Sequence, residues 1–136
     1  MKTENKITAI TNDNQLQKAY QVANTIFEQI KYSAGISVMM SWGISRKAVA
    51  RYGGMDTLFL HVNGFAHKGI VAISLNEGKD LYEIHLLKYG THECVKSETE
   101  VFCEDLGHIL DELIEKPAEV SDKQYAEQVN KAVYVF

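Results

Sequence analysis

The chain holds one proline, two cysteines and no long apolar run, and each scarcity excludes something. A bilayer-spanning helix needs ~18 consecutive apolar residues, and no stretch approaches that length. Residues 1–5 are polar and lack the apolar core of a secretory leader, so a cytoplasmic location is expected and membrane attachment is not. Cys94 and Cys103 lack the CxxC spacing of a zinc knuckle or redox pair, which leaves two free thiols in a reducing compartment. HExxH, glycine-rich phosphate loops and the GxSxG elbow are missing, so neither a metal nor a cofactor is expected. No internal repeat or low-complexity linker divides the chain, and its length suits one domain over residues 1–136.

Basic charge is scarce where a nucleic-acid binder would need it. The net charge is −4, distributed as +4 over residues 1–55, −1 over 56–97 and −7 over 98–136. Phosphate neutralisation needs a basic excess, and Arg46, Lys47 and Arg51 beside Tyr52 make only a small patch. Nucleic acid is therefore not expected as a partner. The acidic last third suits a different role: presenting carboxylates in place of phosphates to a nucleic-acid-handling protein.

What the sequence does contain is a β-meander over residues 57–97. Asn63-Gly64 reads as a two-residue hairpin turn, because both residues tolerate the positive φ of a type I′ turn. It would set Val62 opposite Phe65 and Leu58 opposite Gly69. A turn at Glu77-Gly78 would set Leu75 opposite Asp80, and one at Gly90-Thr91 would set Leu86 opposite Val95. The period of two then gathers Leu58, Leu60, Val62, Phe65, Val71, Ile73, Leu75, Tyr82, Ile84, Leu86 and Val95 on one apolar face. Phe59, His61, Lys68, Ala72, Ser74, Glu83, His85 and Lys96 fall on a mixed face, with Phe59 exposed. Gly69, on the apolar face, marks the close approach of a helix or large side chain.

Helices flank the meander. Asp13 or Asn14 offers an N-cap, with Gln17 completing a capping box after Asn14. Leu16, Tyr20, Ala23, Phe27 and Ile30 then form the seam of an amphipathic helix over 14–31, widened by Val22 and Ile26. Residues 33–43 fit a helix through Ile36, Met39 and Met40, with Ser33 as cap and Gly43 past its end, or a strand through Ile36, Val38, Met40 and Trp42. The helix is preferred. A strand is expected from Arg46 to Tyr52, and a short one from Val101 to Cys103. Leu106, Ile109, Leu110, Leu113 and Ile114 predict a helix over 105–116, stopped by Pro117. Ser121 opens a last helix, and Val133, Tyr134, Val135 and Phe136 are too apolar for a free tail.

The histidines do not converge. In this register His61 and His85 lie ~16 Å apart on the mixed face, too far for two ligands each ~2 Å from one zinc. His67 reads as a core histidine. His108, with Glu104, Asp111 and Glu112 at helical spacing, reads as a solvated face. Cys94 and His92 are the one nucleophile–base pair the turn would bring near each other, and no oxyanion donor accompanies them. The stretches 40–43, 62–64, 67–69 and 75–78 resemble short bacterial proteins, a resemblance that implies no activity.

The reading is an α+β domain: an antiparallel meander of four to six strands, one face covered by the helices at 14–31 and 105–116. With no catalytic constellation, the leading function is a non-catalytic protein-interaction module acting as a homodimer. Its contact residues would be Trp42, Phe59, Tyr134 and Phe136. The alternatives are the acidic decoy, and a small-ligand protein or hydrolase using Cys94 and His92.

Overall fold

The computed structural model describes residues 7–115. In chain order these form β1 (Ile7–Thr8), α1 (Asp13–Ala34), α2 (Ile36–Ser41), β2 (Arg46–Tyr52), β3 (Met55–Asn63), β4 (Lys68–Asn76), β5 (Leu81–Leu87), β6 (Cys94–Val101), a 3₁₀ turn (Cys103–Asp105) and α3 (Leu106–Glu115). Each strand pairs antiparallel with its neighbour in sequence, giving a six-stranded meander of order β1-β2-β3-β4-β5-β6. The α+β class and the helix-covered face are as expected. The stop at Pro117, the helix from Ser121 and the tail with Tyr134 and Phe136 lie outside the described residues.

The main core lies between α1, α3 and the expected apolar face of the sheet. Ile26 and Ile30 of α1 meet Leu58, Leu60, Ile73 and Ile84, with Leu106, Leu110 and Ile114 of α3 beside them. Fully burying such side chains contributes about 1.5–3 kcal/mol each. The cap of α1 is Asn12, one residue before the two candidates, because its Oδ1 accepts from the amides of both Asn14 (2.9 Å) and Gln15 (3.1 Å). The buried line of α1 runs through Ala19, Ala23, Ile26 and Ile30, so the expected seam holds at Ala23, Ile26 and Ile30, while Tyr20 is left in water. Ser33 does not cap α2, where Gly35 takes that position. Its hydroxyl instead receives the Gly107 amide at the start of α3 (2.8 Å).

Two hairpin registers differ from expectation, for a tertiary reason. In β3–β4, Val62 pairs with Gly69 and Leu58 with Ile73, so the connection spans four residues, 64–67. Those residues are committed elsewhere: the amides of Ala66 and His67 both donate to the Ile114 carbonyl of α3 (2.8 and 3.1 Å). Ile114 also lies where a Cβ on residue 64 would stand, so the glycine serves close approach rather than a positive φ. In β4–β5, Leu75 pairs with Tyr82, two residues from the expected register. Both shifts are even, so the sorting of these strands onto two faces survives. In β5–β6, Leu87 pairs with Cys94 as expected, but a bulge moves the partner of Leu86 from Val95 to Lys96. Val95 is consequently exposed. β6 ends at Val101, and Cys103 opens the 3₁₀ turn rather than continuing a strand.

The mixed face is a second, smaller core. Tyr52, Phe59, Ile70, Ala72 and Leu87 are buried together on it. Tyr52 on β2 stacks on His85 of β5, ring centroids 4.8 Å apart, across two intervening strands. That contact requires the sheet to curl toward this face into a half-barrel. Phe59, expected to be exposed, is 4% accessible for this reason. The expected close approach at Gly69 comes from the His67 ring and the Leu87 carbonyl.

Candidate interaction surface

α1 lies across the sheet with a hollow along each flank, and the two hollows differ in chemistry. On the flank toward β5 and the 3₁₀ turn, a cleft of about 450 Å³ is lined by Gln29, Tyr82, Asp80, Phe102 and Cys103 among others. It continues through the shared walls Gln29 and Cys103 into a hollow of about 320 Å³ bounded by Tyr32, Ser33 and Glu104. On its floor the Tyr82 hydroxyl donates to Gln29 Oε1. Burial, with Cys103 and Asp80 nearby, raises the Tyr82 phenol above its ordinary range, so it stays a neutral donor. Tyr32 is 90% exposed and Phe102 55% exposed at the rim.

The helical period explains why these residues share a flank. Gln29, Tyr32 and Ser33 recur at spacings of three and four, about a quarter-turn from the buried line. The Ser33–Gly107 hydrogen bond ties the end of α1 to the start of α3 and thereby fixes the 3₁₀ turn against this flank. A Cβ on Gly107 would be driven into Ala34 N and Ser33 Oγ, so the joint requires glycine. The charge here is acidic: Asp80 and Glu104 line the hollows, and Lys79 is paired with Glu100 (3.4 Å).

The opposite flank holds a hollow of about 270 Å³ lined by Tyr20, Asn24, Phe27, Lys47 and Val49 among others. Here one aromatic, Phe27, is already partnered, while Tyr20 is 51% exposed. The Lys47 ammonium stands 4.1 Å from the Phe27 ring centroid and that of Lys31, which is ion-paired with Glu28 (3.0 Å), stands 5.8 Å away. Lys47 is the charged residue that lines this hollow.

The residues proposed from sequence fall elsewhere. Trp42 is fully buried, its indole Nε1 donating to Asp111 Oδ1 (2.9 Å), so it is a core side chain with a satisfied polar edge. Phe59 lies in the second core, and Tyr134 and Phe136 are outside the described residues. The thiol of Cys94 donates to the Lys96 carbonyl (3.4 Å) rather than to His92. The observed register brings His61 and His85 to about 12 Å apart instead of ~16 Å. Each is met by a tyrosine, Tyr89 on His61 (5.4 Å) and Tyr52 on His85 (4.8 Å). His108 pairs with Glu112 (2.9 Å) on an exposed helix face. Of the basic trio on β2, Lys47 is held over Phe27 and Arg51 is bonded to the buried Asp56 (3.2 Å). Among the described residues, no three or more His, Cys, Asp or Glu side chains gather as a metal would require.

Sequence reasoning passed over Tyr32 and Phe102. Tyr32 carried a usable signal, an aromatic outside the apolar seam of its helix. Phe102 had none, since it follows directly on a strand residue of the core, Val101. No protein-family model matches the chain, no curated protein is similar to it, and no solved structure matches it.

Proposed function

We propose that this protein is a non-catalytic interaction module that associates with a second copy of itself through the two flanks of α1. The observation that carries the reading is the pair of large aromatic side chains, Tyr32 and Phe102, left in water around one continuous hollow. Aromatic side chains in such positions supply most of the binding energy of protein interfaces, about 2 kcal/mol or more each when enclosed. A second copy fits because the flanks differ in charge. Asp80 and Glu104 border one, where Lys79 is paired with Glu100, and Lys47 lines the other, beside Lys31, which is paired with Glu28 (3.0 Å). A two-fold axis parallel to α1 brings the acidic flank of each copy over the basic flank of its partner, the self-complementary arrangement of a symmetric dimer.

The experiment is a dilution series followed by amide chemical shifts. On this reading the shifts that depend on concentration cluster at residues 29–33, 79–82 and 102–104 on one flank and at 20–27 and 47 on the other. Concentration-dependent shifts confined to β6 or to the exposed α2 residues Ile36 and Met40 would move the interface elsewhere. Shifts independent of concentration, together with capture of a basic protein that salt releases, would favour the acidic decoy.

A further inference from the structure

The end of α3 is fastened to the β3–β4 connection by bonds that the proposed dimer surface does not use. Three successive amides of that connection point at it. Those of Ala66 and His67 donate to the Ile114 carbonyl, and that of Phe65 donates to Glu115 Oε2 (3.2 Å). Glu115 is 1% exposed, and its second oxygen, Oε1, is buried without a hydrogen-bond partner.

Among the described residues, the charges around it offer no compensation. On its own helix stands Asp111, whose Oδ1 accepts from Trp42 of the α2–β2 corner. From the connection comes His67, whose ring Nε2 is directed at the Ile70 carbonyl (3.2 Å). Among the described residues, no ion pair from any element reaches Glu115. An ionised carboxylate here would keep one buried oxygen unsatisfied, whereas a neutral acid carries its proton on that oxygen and still accepts from Phe65.

We propose that Glu115 is a proton-operated latch: protonated, it holds the end of α3 closed on the β3–β4 connection, and ionised, it releases the two from each other. Burial raises its carboxyl to about 7, against the opposing effect of the Phe65 amide and with help from the Asp111 charge. The sign follows from linkage. Unfolded, the carboxyl titrates near its ordinary value of 4.5, and closed, near 7, so the closed form holds the extra proton between these values. The stabilisation is complete below the lower value and is lost as pH rises through the upper one.

The test is amide hydrogen exchange at residues 65–67 between pH 4.5 and 8.5, corrected for intrinsic rates. Protection in the wild type is expected to fall about tenfold per pH unit between 4.5 and 7, the slope of one linked proton, and to level off above 7, where both forms are ionised. In Glu115→Gln, which mimics the neutral acid, it is expected to stay level. A wild type with pH-independent protection, or a Glu115→Gln variant with the wild-type slope, would overturn the proposal. A carboxyl carbon titration of Glu115 in the wild type reads the same point without a variant. A midpoint near 7 supports the latch, and a midpoint near 4.5 removes it. The outcome is independent of whether the protein dimerises.

Discussion

The two flanks of α1 share one helix and one sheet, yet they differ in how far their aromatic side chains are engaged. On the β2 side, Phe27 is half-buried and lies under two ammonium groups, so its ring is engaged within the chain, while Tyr20 is exposed. On the β5 side, Tyr32 and Phe102 face water around a hollow whose lining lysine, Lys79, is paired with Glu100. The first flank is settled around Phe27, and the second leaves Tyr32 and Phe102 both exposed. Neighbouring charge explains the difference: lysines of α1 and β2 converge on one side, while carboxylates of the β4–β5 turn and the 3₁₀ turn border the other.

The contrast can be broken at its joint first. Gly107→Ala forces a methyl into the backbone of Ala34 and the Ser33 hydroxyl, and is expected to cost about 3 kcal/mol in urea unfolding. It should loosen the β5-side flank while leaving the Lys47–Phe27 contact in place. Tyr32→Glu and Phe102→Glu leave the fold alone, since both side chains are exposed. Each is expected to weaken self-association by about 30-fold in sedimentation, corresponding to about 2 kcal/mol, with unfolding changed by no more than about 0.5 kcal/mol. Tyr82→Phe removes the hydroxyl that holds Gln29 on the floor of the cleft and should cost about 1 kcal/mol of stability. Lys47→Ala, on the settled flank, should cost about 0.5 kcal/mol through the lost cation–π contact, and weaken association only a few-fold. Equal association losses from Lys47→Ala and Phe102→Glu would erase the distinction between the flanks.

Much of the architecture was legible because it is written locally. The alternation along β3, β4 and β5 sorted their residues correctly even where the turns were misplaced, since slips of two and four residues keep each side chain on its face. The helix at 14–31 and the helix ending near residue 115 were legible from their apolar period. The errors arose where distant groups intervened. Asn63-Gly64 has the sequence of a tight turn, but Ile114 takes the amides of the connection, and Gly64 is needed for that approach. Ser33 has the chemistry of a cap and does receive a helix-start amide, but from α3 rather than α2. Phe59 follows an alternation that places it on the outer face, and only the curl that brings Tyr52 onto His85 buries it. The candidate surface was not legible, because Tyr32, Tyr82 and Phe102 come to one flank only once the 3₁₀ turn is fastened beside α1.

The most direct test is the mass in solution of the full chain, measured by light scattering over a concentration series at low and moderate salt, beside Phe102→Glu. The account predicts a species of twice the 15.3 kDa chain mass that salt weakens and that Phe102→Glu shifts to about 30-fold higher concentration. A wild type that stays monomeric up to about 100 µM, where even micromolar affinity would show, would contradict it.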